Sequence, residues 1–115
     1  MPLLNISTNN KVKNEQTFLA KSSDLIASLL NKSENFVMIK ITDSLPMYFS
    51  GNDDPCCFIE IKSIGSIIPS QISQPICEFF STELQIPKER IYIFFQDVDS
   101  SMWAWNGKTF GWIKI

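Results

Sequence analysis

MPLLNISTNN, residues 1–10, sets apolar residues against small polar ones and then passes into the polar run NNKVKN at 9–14. The apolar stretch over 2–8 predicts a strand, and the polar run predicts the turn that ends it. Just beyond, Phe18, Leu19, Leu25, Ile26, Leu29 and Leu30 fall mostly on one face of a helix drawn from Glu15 to about Asn31. Asn14 stands where a side-chain N-cap would, and Glu15 suits the positive end of the helix dipole. FVMIKIT at 36–42 is apolar and rich in β-branched residues, so a second strand follows the helix. A strand–helix–strand unit therefore opens the chain.

The second half repeats that order. LPMYFSGNDDP at 45–55 holds Gly, Asn, Asp and Pro and reads as a turn or short irregular strand. The next strand places Phe58, Glu60 and Lys62 on one side and Ile59, Ile61 and Ser63 on the other. A second helix runs from Ser70 or Ser73 to Leu84, with Ile76, Phe79, Phe80 and Leu84 toward the core. Pro75 fits a first turn better than a helix middle, which places the start near Ser73. RIYIFFQ at 90–96 is the closing long strand, and short strands are expected around MWAW and FGWIKI in the tail. The expected fold is α+β: two β-α-β units forming a four-stranded mixed sheet with two helices on one face, as a single domain over 1–115.

Composition excludes several functions. Ten basic and twelve acidic residues leave a net charge of -2 with no basic cluster, so nucleic acid is not an expected partner. The apolar runs are too short to cross a bilayer, and the N-terminus lacks the basic and apolar regions of a signal peptide. A cytoplasmic location follows as the expectation, with any secretion by a non-classical route. Cys56, Cys57 and Cys77 are odd in number and contain no CxxC spacing, which suits a reducing compartment. There is no histidine, so His-based catalysis and the common zinc ligand sets are excluded, and neither metal nor cofactor is expected. Acid–base chemistry near neutral pH must then come from a carboxylate, Lys, Cys, Tyr or the terminal amine. At the other end of the chain, Trp103, Trp105, Phe110 and Trp112 crowd the tail beside Ile113 and Ile115. That is more apolar surface than a small monomer buries along with two helices, so association into a closed oligomer is expected.

With Pro2 behind the initiator Met, SIG at 63–65, RIYI at 90–93 and WNGKTF at 105–110, the chain resembles the macrophage migration inhibitory factor family of the tautomerase superfamily, whose members carry an amino-terminal proline base. The likeness spans nearly the whole chain, through PLLNISTN, Asn31-Lys32, PMYFSGNDDPC, IEIKSIG and PKERIYIFFQD. The resemblance implies that Pro2, freed by removal of Met1, is the catalytic base. It implies that Lys32 holds a substrate carboxylate, that Ser63 and Ile64 line the pocket, and that Tyr92 closes one side from a neighbouring subunit. Trp105 and Phe110 would form part of an aromatic wall. It further implies a homotrimer with sites at subunit boundaries, the short extra strands pairing between subunits.

Several positions depart from the family's better-known members: Phe36 stands for a Tyr, Phe94 for an Asn, and Trp103 for a small aliphatic residue at the pocket rim. Cys56 remains, but Ile59 occupies its CxxC partner position, which removes the basis for thiol redox activity. An ordinary α-amine titrates at roughly 7.7–8.0, and burial among Leu3, Phe36, Ile64 and Phe94, with Lys32 nearby, would lower it. Arg90 is the only arginine, so a dicarboxylate has no arginine pair, and the aromatic residues point to an arylpyruvate. The expected function is keto–enol tautomerisation of a phenylpyruvate-type α-keto acid. The alternative is a cytokine-like protein-binding module, with receptor binding relevant only for an animal or parasite source. The extension Gly111 to Ile115 has no functional reading.

Overall fold

The computed structural model of the chain describes residues 1–65 and 67–112. The long elements are β1 (Leu3–Thr8), α1 (Glu15–Leu30), β2 (Met38–Thr42), β3 (Cys57–Ser63), α2 (Pro69–Leu84) and β4 (Ile91–Asp97). The four strands form one sheet in the order β2-β1-β3-β4. β1 runs parallel to β2, β3 runs parallel to β4, and the two pairs meet through an antiparallel β1–β3 ladder of Leu3 with Lys62 through Thr8 with Cys57. Each parallel pair is bridged by one helix, so the two expected β-α-β units are present as a mixed sheet.

Alternation decides which face the helices cover. Leu4, Ile6 and Thr8 of β1 and Ile59 and Ile61 of β3 are fully buried, while their neighbours in sequence are only half-buried. α1 meets this face with Phe18, Ser22, Ile26 and Leu30, and α2 with Ile72, Ile76, Phe80 and Leu84. Both stripes step by four residues, one turn each, and their apolar members join the strand residues in a single core. Ser22 is tolerated there because its hydroxyl donates to the Phe18 carbonyl at 2.8 Å. Thr8 does the same toward the Cys56 carbonyl, also at 2.8 Å. Both helices therefore lie on one face, as expected. The opposite face carries Asn5, Lys40, Glu60, Tyr92 and Phe94, with the Asn5 amide donating to Glu60 at 3.2 Å.

Four local expectations change. α2 starts at Pro69, not near Ser73: Pro69 fills the first-turn role, and Pro75 lies inside the helix, where the buried stripe overrides its missing N–H. Asn14 makes no side-chain cap among the described residues; it takes a left-handed conformation at φ 55°, and its carbonyl accepts from the Phe18 N–H at 3.0 Å. The second strand begins at Met38, because residues 34–36 wind into a 3-10 turn capped by the Ser33 hydroxyl. In the tail, β5 (Ala104–Trp105) pairs with β6 (Lys108–Thr109) within the same chain. Asn106 and Gly107, at φ 52° and 79°, form the tight turn whose twist suits such a hairpin. Phe110–Trp112 then form a 3-10 turn where a strand was expected, and residues 113–115 lie outside the described residues.

The loop after β2 is irregular, with a Phe49–Asn52 bridge around Ser50 and Gly51. Arg90 ties it to the start of β4: its guanidinium donates to the Pro55 and Asp54 carbonyls, each at 2.9 Å, and lies 5.2 Å from the Phe49 ring centre.

Phe80 is fully buried and meets Phe18 and Phe79 edge to face at centroid distances of 5.8 and 4.9 Å. Phe80→Ala is expected to destabilise the fold by about 3–5 kcal/mol through lost burial and a cavity between the helices. Urea unfolding reads this directly, and a loss below about 1 kcal/mol would show that the two helices do not share one core.

Candidate active site

Pro2 precedes β1 and is held before any side chain is considered. Its carbonyl accepts from the Met38 N–H at 3.0 Å, and the residue is fully buried. One side of it opens on a cavity of about 370 Å³. The cavity wall includes five of the expected site residues: Pro2, Phe36, Trp103, Trp105 and Phe110. Three independent segments bring them together. The 3-10 turn at 34–36 turns Phe36 inward, the β5–β6 hairpin presents Trp105, and Phe110 is pinned by its N–H donating to the Trp103 carbonyl at 2.8 Å. The rings pack as a unit: Trp105 stacks on Phe110 at 6.4 Å with planes 13° apart, and Phe36 meets Trp105 edge-on at 5.5 Å. Leu3 joins this wall, as expected from its place beside Pro2.

Met1, Asn35, Met38 and Ala104 also line the cavity and were not foreseen. Met38 could have been found, since a parallel strand beginning after Phe36 sets its first residue against Leu3. Met1 could not, because a residue expected to be excised is not read as part of a wall.

Lys32 does not line the cavity, and its link to the N-terminus is electrostatic. Asn31 takes a left-handed conformation at φ 52°, ending α1, and the Lys32 N–H turns back to the Ala27 carbonyl at 2.9 Å. The Met1 amine is held below its ordinary value by burial and, second, by the Lys32 charge.

Ser63 is fully buried, with no hydrogen-bond partner for its hydroxyl among the described residues. Extending the β1–β3 register from Leu3–Lys62 sets it across from Pro2. Ile64 follows, half-buried, and neither residue lines the cavity. Gly65, at φ 66°, ends this segment with its N–H on the Asp97 carboxylate at 2.8 Å. Tyr92 and Phe94 lie on β4, facing away from the helices and 63% and 48% exposed. They do not reach this chain's own cavity, and Tyr92 packs on Phe49 at 4.8 Å. Within one chain, Ile64 and Phe94 thus do not line the cavity on which Pro2 opens.

Cys56 and Cys57 are buried, unpaired thiols, and Cys77 is half-buried. Burial, helped by the neighbouring thiols, pushes Cys57 up to about 12. Cys77 is also raised, burial outweighing the Lys88 charge. Ile59, in the second cysteine's place, is a fully buried core residue. No group of three or more metal-ligating side chains comes together among the described residues. Nor is any described helix long and apolar enough to cross a membrane.

The comparisons with known proteins agree with this geometry. The family profile described as macrophage migration inhibitory factor matches residues 1–111. A macrophage migration inhibitory factor homolog of Brugia malayi is 38% identical over 117 residues, spanning 96% of this chain and all of that protein. The mouse macrophage migration inhibitory factor is 30% identical over 114 residues, with 96% and 99% of the two chains covered. Among solved structures, the homologue from Prochlorococcus marinus superposes with a TM-score of 0.90 at 39% identity, covering 95% of this chain and 99% of that one. The protein from Trichinella spiralis does so with a TM-score of 0.88 at 32% identity, covering 94% and 99%. The four-stranded sheet of two β-α-β units is the fold this chain shares with those two structures. The chain belongs to the macrophage migration inhibitory factor family.

Thiol burial sets an order of reactivity. Under native conditions at pH 8, an alkylating reagent is expected to modify the half-buried Cys77 ahead of the buried Cys57 by at least tenfold in rate, read by peptide mass mapping. Rapid native labelling of Cys57 would overturn the assigned burial.

Proposed function

We propose that the protein is a keto–enol tautomerase of arylpyruvates, with the Pro2 amine as general base once Met1 is removed. The observation that carries this reading is a fully buried Pro2 on the wall of an aromatic cavity, at a terminus where burial and the Lys32 charge already lower the amine of Met1, the residue before it. A base works best when its pKa lies near the working pH, and lowering an ordinary α-amine from roughly 7.7–8.0 leaves more of it unprotonated at pH 7. Pro2 takes a proton from the carbon beside the substrate carbonyl, the C–H electron pair becomes the enol double bond, and the carbonyl oxygen receives a proton. Lys32 holds the carboxylate and so fixes the reacting carbon against Pro2. Phe36, Trp103, Trp105 and Phe110 surround the aryl ring, while Ser63 and Ile64 border the site. No cofactor takes part.

The site is completed in a homotrimer, in which Tyr92 and Phe94 of one copy meet the cavity of the next. Their exposure on the uncovered sheet face supports this, as does the exposed Met38, at 64%. The relatives from Brugia malayi and mouse are named for macrophage migration inhibition, which favours a second reading as a cytokine-like binding module. Activity assays on the Met1-free protein decide between them.

Spectrophotometric turnover of phenylpyruvate is expected, with Pro2→Gly lowering kcat/KM by about a hundredfold or more. Absence of wild-type turnover, with Met1 loss confirmed by mass, would leave the binding-module reading. With Phe36 and Phe94 bringing no hydroxyl to the ring, phenylpyruvate should outperform its para-hydroxy analogue, and the reverse preference would refute that assignment. The pH profile tests Lys32 separately. The unprotonated amine is the active form, so kcat/KM falls as pH drops through its pKa. The Lys32 charge lowers the Met1 amine, and a cation left beside the Pro2 amine would act in the same direction, so Lys32→Ala should move the acidic limb to higher pH while KM rises about tenfold or more. An unmoved limb would place Lys32 away from the base.

A further inference from the structure

Met1 is the unexpected member of the cavity wall. It is 5% exposed, an unusual degree of burial for a chain terminus, and it shares the wall with Pro2, Phe36, Trp105 and Phe110. Its removal, on which the tautomerase reading rests, leaves an apolar volume that none of the aromatic residues accounts for. The position of that volume is fixed by covalent geometry. The Met1 carbonyl carbon is bonded to the Pro2 nitrogen at about 1.33 Å, so the Met1 Cα lies two bonds from the future base. A reacting carbon must approach that nitrogen to about 3–3.5 Å, on the side that the Met1 carbonyl and Cα leave open when Met1 is removed. What Met1 carries on its Cα is an unbranched chain of two methylenes, a sulfur and a methyl, and this buried residue forms part of the cavity wall next to Pro2.

The seat outlasts the residue that fills it. Pro2 is held through its carbonyl by Met38, and Leu3, the first residue of β1, is paired on both sides, with Met38 and with Lys62. Loss of Met1 therefore removes wall atoms without releasing the strand. We infer that the vacated Met1 seat is a side-chain subsite and that the enzyme also enolises α-keto acids bearing an unbranched aliphatic or thioether chain. The chemistry is that already described: the C3–H bond breaks toward the Pro2 nitrogen, its electron pair forms the C2–C3 double bond, and the carbonyl oxygen is protonated. The aryl ring of an arylpyruvate and the flexible chain of an aliphatic acid then use the same cavity differently, the ring against Phe36 and Trp105 and the chain in the seat beside Pro2.

The experiment uses the full chain with Met1 loss confirmed by mass. Exchange of C3 protons for deuterium is followed by proton NMR on 2-oxobutanoate, 2-oxohexanoate, 4-methylthio-2-oxobutanoate and the branched 3-methyl-2-oxobutanoate, with phenylpyruvate alongside. A methylene in a fitted apolar pocket changes discrimination by about 10–200-fold. The hexanoate and thioether acids should therefore exceed the butanoate by at least about tenfold in kcat/KM, and the branched acid should fall below both. Turnover of phenylpyruvate with no dependence on chain length, or with the branched acid preferred, overturns the inference and leaves the tautomerase reading standing. Failure on every acid, phenylpyruvate included, overturns both.

Discussion

The antiparallel ladder between β1 and β3 is the constraint on which the rest of the molecule depends. Each β-α-β unit is parallel and local, and neither could bury one helix against two strands alone. Pairing Leu4 with Ile61 and Ile6 with Ile59 sets four fully buried side chains on one face, and that face becomes the floor for both helices. A slip of one residue would turn those side chains to the open face and bring Asn5 and Glu60 beneath the helices. The same register sets Ser63 across from Pro2 and stops the ladder there, so the end of the core and the mouth of the cavity are one feature.

The two halves share more than their element order. α1 ends at Asn31 and α2 at Gln85, both left-handed, and each is followed by a 3-10 turn before its edge strand. The halves then diverge at the positions that matter chemically. After α1 come Lys32, whose charge lowers the Met1 amine, and Phe36, whose ring lines the cavity. After α2 comes Arg90, whose guanidinium is taken up by the Asp54 and Pro55 carbonyls and the Phe49 ring. One 3-10 turn serves the cavity, and the other anchors a loop.

Much of this was legible in the chain because period-two and period-3.6 patterns read burial directly. Ile59, Ile61 and Ser63 alternate as the ladder requires, and the α2 stripe is visible without the structure. What escaped was set by tertiary competition. Pro75 suggests a helix start because a proline disfavours a helix interior, yet Ile72 and Ile76 on either side of it are core residues, and their burial holds the helix through it. Asn14 has the right side chain for a cap, but the chain enters α1 through a left-handed residue, which leaves its backbone to do the capping. Pro2, Phe36, Trp103, Trp105 and Phe110 were found together through resemblance. No periodicity joins three segments so far apart in sequence.

The residues that the cavity lacks are explained by distance. In register, Tyr92 lies level with Phe58 and Ser7, whereas the Pro2 end of the sheet is level with Ser63 and Asp97. From Asp97 back to Tyr92 is five residues along β4, about 16 Å, and β4 is two strands, about 10 Å, from β1. Phe94 is nearer but still about 10 Å along and 10 Å across. No rotamer of either ring spans that gap within one chain, and the strand positions are locked by the ladder. If Tyr92 and Phe94 act on a substrate held at Pro2, that Pro2 belongs to another copy. The open sheet face, with its exposed tyrosine and phenylalanine beside the polar pair Asn5 and Glu60, is then more than an uncovered surface: it is the part of one site that each chain holds for its neighbour.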